Sequence, residues 1–287
     1  MAYELAYELA PWVPPFVVGT LKIAVGPLAG ALVGALTAQG IAKRNADVQR
    51  QLDELRATNA AVSAAVSIAD LAATFKDQQV RSMKETYDKL SDARDAWAAG
   101  PRAMPFHFQA DLEALPAFRA AIPMLEKLIY ERINSSGAVL ALFALIAQSA
   151  ASVGDAVELR NTIVDELKAR SPVPPDELAD IYFGLVTAQG HADSRFRSAI
   201  EALASHVDGT LFGAYALAKE LSKHAQSLAV TKATRFRKPA QRKGFPQAAG
   251  AKFGPLEEGG LLPPLDADWE KYFAALKIDP GLPKQGT

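Results

Sequence analysis

Apolar and polar positions change their spacing along this chain, and each change marks an element. Residues 16–42 carry one charge, Lys22, and residues 23–42 carry none. At about 1.5 Å of rise per residue, such a run covers roughly 30 Å, the hydrocarbon thickness of a bilayer. The pattern predicts a single transmembrane anchor helix over residues 16–42, behind an N-terminal flank of residues 1–15. Trp12 suits the interface before it, and Lys43 and Arg44 close it. A signal peptide over residues 1–40, with the rest exported, is the competing reading. It fits poorly, because Glu4 and Glu8 make the flank acidic and no basic residue precedes Lys22. Lys43, Arg44, Arg50 and Arg56 follow the span, so the expected orientation is N-terminus outside and the bulk of the chain cytoplasmic.

Past the span, the apolar positions alternate steps of four and three. They are Val48, Leu52, Leu55, Asn59, Val62, Val66, Ala69, Ala73, Lys76, Val80, Met83, Tyr87, Leu90, Arg94 and Trp97. This is a 3.5-residue repeat sustained over roughly seven heptads, the signature of a long helix with a seam facing another helix. Three seam positions are polar, Asn59, Lys76 and Arg94. Packing against later helices of the same chain is expected ahead of a parallel coiled-coil stalk between two chains.

The remainder reads as more helices, with no alternating strand pattern. Helices are expected over about residues 117–152, 155–170 and 176–228, after the first at 43–99. Pro123 suits a first turn, Asp155 and Asp176 suit N-terminal caps, and Gly190 and Gly209 weaken the last helix. Residues 138–147 are apolar on nearly every side, which predicts a central place in the bundle. Beyond residue 228 the periodicity ends. Residues 229–265 read as a basic flexible linker, and residues 266–287 as a short amphipathic helix and tail. Trp269, Tyr272, Phe273 and Leu276 share one face of that helix and form a candidate docking surface. The predicted fold class is therefore all-α: an anchor helix, an elongated bundle of long helices and a partly disordered C-terminal tail.

Composition changes this picture in two places. The net charge of −1 conceals a local asymmetry: residues 229–253 hold seven Lys/Arg and no acid. Lys232, Arg235, Arg237, Lys238, Arg242 and Lys243, with Phe236 and Phe245 between them, are candidates for contact with anionic lipid or nucleic acid. With an anchor nearby, lipid is the simpler partner and nucleic acid is not the expected one. The chain also has no cysteine, which excludes disulfides, thiolate nucleophiles and cysteine-based zinc sites.

Chemistry-bearing patterns are few. Gly26, Gly30 and Gly34 form a G-x-x-x-G-x-x-x-G stripe in the span, a face on which another membrane helix or a second copy can pack closely. His191-Ala-Asp193 and His206-Val-Asp208 resemble a repeated ligand pair. On one continuous helix the two histidines would lie about 22 Å apart, too far for a shared metal. His107 and His224 complete the histidines, and no nucleotide, hydrolase or zinc-protease fingerprint occurs. No catalytic, cofactor or metal site is assigned. The expectation is a non-enzymatic, membrane-anchored helical scaffold or adaptor of bacterial type. Its partners would be the lipid bilayer, a second copy through the glycine stripe, and an anionic lipid or protein at the C-terminal tail. The alternative is a membrane-active or pore-forming protein assembled through the glycine-rich helix.

Overall fold

No proline or glycine interrupts residues 43–99, and no capping residue separates them from the apolar run before them. The computed structural model accordingly carries one helix from the start of the apolar run into the seam. It describes residues 15–100, 106–170, 172–186, 190–235, 247–250, 262 and 267–277. In chain order the helices are α1 (Pro15–Phe75), a π-helical segment (Lys76–Val80), α2 (Arg81–Ala99), α3 (Ile122–Arg132), α4 (Gly137–Ala169), α5 (Pro175–Phe183), α6 (Arg195–Arg235) and α7 (Ala267–Leu276). Among the described residues there is no strand, only an isolated antiparallel bridge between Val186 and Ala192. The all-α class holds. Much of the tail, 278–287 included, lies outside the described residues.

The chain divides into two compact units, Met1–Asp53 and Glu54–Thr287. In the first, residues 31–47 are helical and exposed. Two helices are long and apolar enough to cross a membrane by length and composition: the one continuing through residues 31–99, and α4. The sequence pattern had singled out one.

In the second unit, none of the seam positions from Leu55 to Trp97 is exposed. Ala61, Ala64, Ala65, Ile68 and Ala72, beside the seam, are buried as well. The buried face is therefore wider than a two-stranded coiled coil requires, as on a helix serving several neighbours. The three polar seam residues each have a specific partner. Asn59 holds the backbone of residues 247–249. Lys76 Nζ lies 2.7 Å from an Asp208 carboxylate oxygen on α6. Arg94 pairs with Asp95 and stands over the Phe183 ring, 5.7 Å from its centroid.

The element boundaries depart from expectation at three places, each for a local reason. The predicted helix over 117–152 starts only at Ile122, and residues 106–121 are extended. It also breaks at 133–136, where Ser136 takes an extended backbone and its Oγ accepts from Val139 N–H at 3.4 Å. The predicted break between residues 152 and 155 is absent. Val153, Ala156 and Val157 are buried on the inward face of α4, and that packing carries the helix through Gly154 while Asp155 stays exposed. The predicted helix over 176–228 is two helices. Gly184 adopts a left-handed conformation, φ +66°, and a Cβ there would stand 3.1 Å from Ser194 Cα. The chain then turns through Gly190 and restarts at Arg195, whose N–H donates to Asp193 Oδ1.

The centre of the bundle is α6, not residues 138–147. Residues 209–218 of α6 are all buried, whereas Ala144 of α4 is exposed and Leu140, Ala141, Leu145 and Ala147 are half-buried. Gly209 does not weaken α6; it admits α4. A Cβ at Gly209 would meet Ser149 Oγ at 2.8 Å, and one at Gly213 would meet Ile146 Cγ1 at 2.9 Å. The pairs Lys76–Asp208 and Glu54–His224 fix the direction: the later half of α1 and the following π segment run antiparallel to α6.

Candidate functional site

The expected site residues fall into three places. Gly26, Gly30 and Gly34 lie on α1, and Gly34 has nothing within 4 Å of where a Cβ would stand. Around it Leu32, Val33, Leu36 and Ile41 are 57–65% exposed. The one polar side chain described within this stretch before Gln39 is satisfied by its own helix: Thr37 Oγ1 donates to Val33 O at 2.7 Å.

Of the basic residues, Lys232 and Arg235 belong to the last turn of α6, while Arg237, Lys238, Arg242 and Lys243 lie outside the described residues. Both flanks of this stretch are tied to one region of the bundle. Upstream, His224 Nε2 is 3.1 Å from Glu54 Oε1. Downstream, the Asn59 side chain donates to Gln247 O at 2.7 Å and accepts from Ala249 N–H at 2.9 Å. Glu54 and Asn59 are little more than one helical turn apart on α1.

The C-terminal helix α7 docks on its own bundle. Phe273 is 2% exposed and its ring lies 4.9 Å from that of Phe212 on α6. Tyr272 Oη donates to Ala141 O of α4 at 3.5 Å, and Leu276 is half-buried. Trp269 is helical in backbone, and its side chain is outside the described set.

Three arrangements were not visible in the sequence. The first is an open cleft of about 260 Å3 lined by residues that include Ser135, Ser136, Glu220, Lys223, His224 and Ser227. Its polar groups are already engaged. Glu54 Oε1 accepts from Asn134 N–H as well as facing His224, Lys223 Nζ lies 2.6 Å from Glu220, and Ser135 and Ser227 donate to backbone carbonyls. No hydroxyl is seen hydrogen-bonded to the imidazole, so the cleft presents no activated nucleophile among the described residues.

The second is the strap of residues 106–121, which has no helical bonding of its own. Asn161 on α4 accepts from Leu115 N–H at 2.8 Å and donates to Leu115 O at 2.9 Å. Arg160, fully buried, donates to the carbonyls of Glu113 and Asp111. Burial pulls its guanidinium below the usual arginine range, against the opposing pull of the Asp111 carboxylate 3.8 Å away. The third is an aromatic cluster under the strap, where Phe108 packs on Phe183 at 5.0 Å and Tyr182 on Phe196 at 4.7 Å. Burial pushes the Tyr182 phenol up and that of Tyr87 up to about 12.

The histidine pairs separate. His191 sits in the connector before α6 and not on a helix shared with His206. Asp193 is held by Arg195, which depresses its carboxyl, and Arg195 also reaches Glu166 at 2.9 Å. Asp208 belongs to Lys76. Among the described residues no three His, Asp or Glu side chains converge on a metal position. Compared with known protein families, curated proteins and solved structures, the chain matches none.

Proposed function

We propose that the chain is a membrane-anchored helical scaffold or adaptor without enzymatic activity. The observation that carries this reading is the uncharged stretch of α1, whose large apolar side chains point into solvent in an isolated chain. Burying one such side chain is worth about 1.5–3 kcal/mol. Leu32, Val33, Leu36 and Ile41 together therefore forgo roughly 6–12 kcal/mol until something apolar covers them. A bilayer of matching thickness supplies that cover, and a helix that bonds its own backbone and its Thr37 hydroxyl leaves no polar group to desolvate there.

The basic segment supports the same assignment. Its flanks are fastened at Glu54 and Asn59, so its charge is delivered to the end of the bundle nearest the anchor in sequence. Lys232, Arg235, Arg237, Lys238, Arg242 and Lys243 would then contact anionic headgroups, each contributing about 1 kcal/mol. Gly26, Gly30 and Gly34 would be the face for a second copy.

The test uses the cysteine-free background. Single cysteines at Ala2 and Ser227 are probed on intact cells with a membrane-impermeant maleimide, and membranes are then washed with alkaline carbonate. Retention in the membrane with labelling at Ala2 alone supports an outside N-terminus and a cytoplasmic bundle. Release by carbonate sinks the anchor, and labelling at Ser227 reverses the orientation. Gly30→Leu should abolish crosslinked oligomers without releasing the protein.

A further inference from the structure

We propose that α7 is an exchangeable cover, seated on the bundle in one state and on the lipid interface of the bilayer in the other; this rests on the membrane-anchored reading. The seat is small. From residue 270 to residue 277 only Phe273 is buried, and one hydrogen bond at the distance limit, Tyr272 to Ala141 O, joins α7 to α4. A ten-residue helix does not hold itself together in water, so α7 depends on whatever apolar surface it lies against. What it covers is unusual for a bundle. Residues 137–154 of α4 carry no charge, α4 is apolar and long enough to cross a membrane, and its face around Ala141 and Leu145 stays half-buried even with α7 in place.

The composition of α7 suits the second seat as well as the first. Trp269, Tyr272, Phe273 and Leu276 share a face, while Glu270 and Lys271 are exposed on the other side. Aromatic residues with an apolar body and a polar tip collect at the bilayer interface, and short amphipathic helices fold there. An anchor on the same chain keeps that surface at high effective concentration, so a weak intramolecular seat meets a permanent competitor. Departure of α7 uncovers Phe212 and the Ala141 turn of α4 for the same apolar phase.

The experiment uses full-length protein in phosphatidylcholine vesicles, with Trp12→Phe and Trp97→Phe leaving Trp269 as the sole tryptophan. Emission is compared in ordinary and acyl-chain-brominated phosphatidylcholine, in the presence and absence of Phe212→Leu. Quenching of about two-fold or more that rises further with Phe212→Leu supports exchange. Absent quenching, or quenching that Phe212→Leu leaves unchanged, overturns it. Vesicle flotation reads the anchor separately: a protein that fails to float refutes the anchored reading itself. Tyr272→Phe, which removes only the bond to Ala141 O, serves as the milder variant if Phe212→Leu unfolds the bundle by circular dichroism.

Discussion

Two glycines in the interiors of packed helices should respond to the same substitution with opposite sign. Gly154 lies in α4 with nothing within 4 Å of an added Cβ. Alanine there gains helix propensity of about 1 kcal/mol at no steric cost. Gly209 lies in α6, where the added Cβ would stand 2.8 Å from Ser149 Oγ and 3.4 Å from Ser149 Cβ. The propensity gain is the same, but Ser149 is buried and has little room to move. Overpacking a core costs about 1–3 kcal/mol, so the net effect of Gly209→Ala is a loss of about 1 kcal/mol. Removing the hydroxyl leaves only the 3.4 Å contact, which is ordinary van der Waals distance. In a Ser149→Ala background, Gly209→Ala should therefore turn stabilising, a coupling of about 2 kcal/mol. Thermal unfolding followed by circular dichroism in mild detergent reads these as shifts of about 2–4 °C per kcal/mol. If Gly209→Ala raises Tm as much as Gly154→Ala with Ser149 intact, α4 and α6 do not approach as closely as argued.

Other consequences are equally direct. Lys76→Met and Asp208→Asn each break a half-buried ion pair, and a double-mutant cycle should give a coupling of about 1–2 kcal/mol; additive single effects would deny the pair any role in docking the π segment on α6. Asn59→Ala should free residues 247–250 with a global loss of only about 1–2 kcal/mol, seen as faster amide exchange at Ala249 while Leu115 is unaffected. Tyr87, raised to about 12 by burial, binds its proton more tightly folded than unfolded. Its contribution is whole below pH 10 and lost as pH rises towards 12, so phenolate absorbance should show one late-titrating tyrosine, and Tyr87→Phe should delete it.

Helical class and the buried face of α1 and α2 were legible because period and burial are the same signal there. The seam from Leu55 to Trp97 needed only spacing. Helix ends were less legible, since they depend on backbone states that a one-letter code suggests but does not impose. Gly184 and Gly154 are both plausible stops; only at Gly184 does the chain take φ > 0. Centrality was misjudged because residues 138–147 are apolar on every side yet lie at the bundle's edge, while the small residues of α6 let other helices close around it. Arg160, Asn161 and the Glu54–His224 pair join positions 46 to 170 residues apart, a relation no local pattern encodes.

Asn59 and Asn161 share a device whose consequence concerns how this chain can change. Each amide offers a donor and an acceptor side by side, serving an irregular segment as a neighbouring strand would, but from a single residue. A segment fastened at one point needs no register, so the chain between fastenings is free to lengthen, shorten or be rewritten. Doubling the number of residues between Arg235 and Gln247 would add only about 0.6 kcal/mol of closure entropy. That stretch is thus the natural place to insert a tag, a protease site or a second recognition sequence without disturbing the helices on either side.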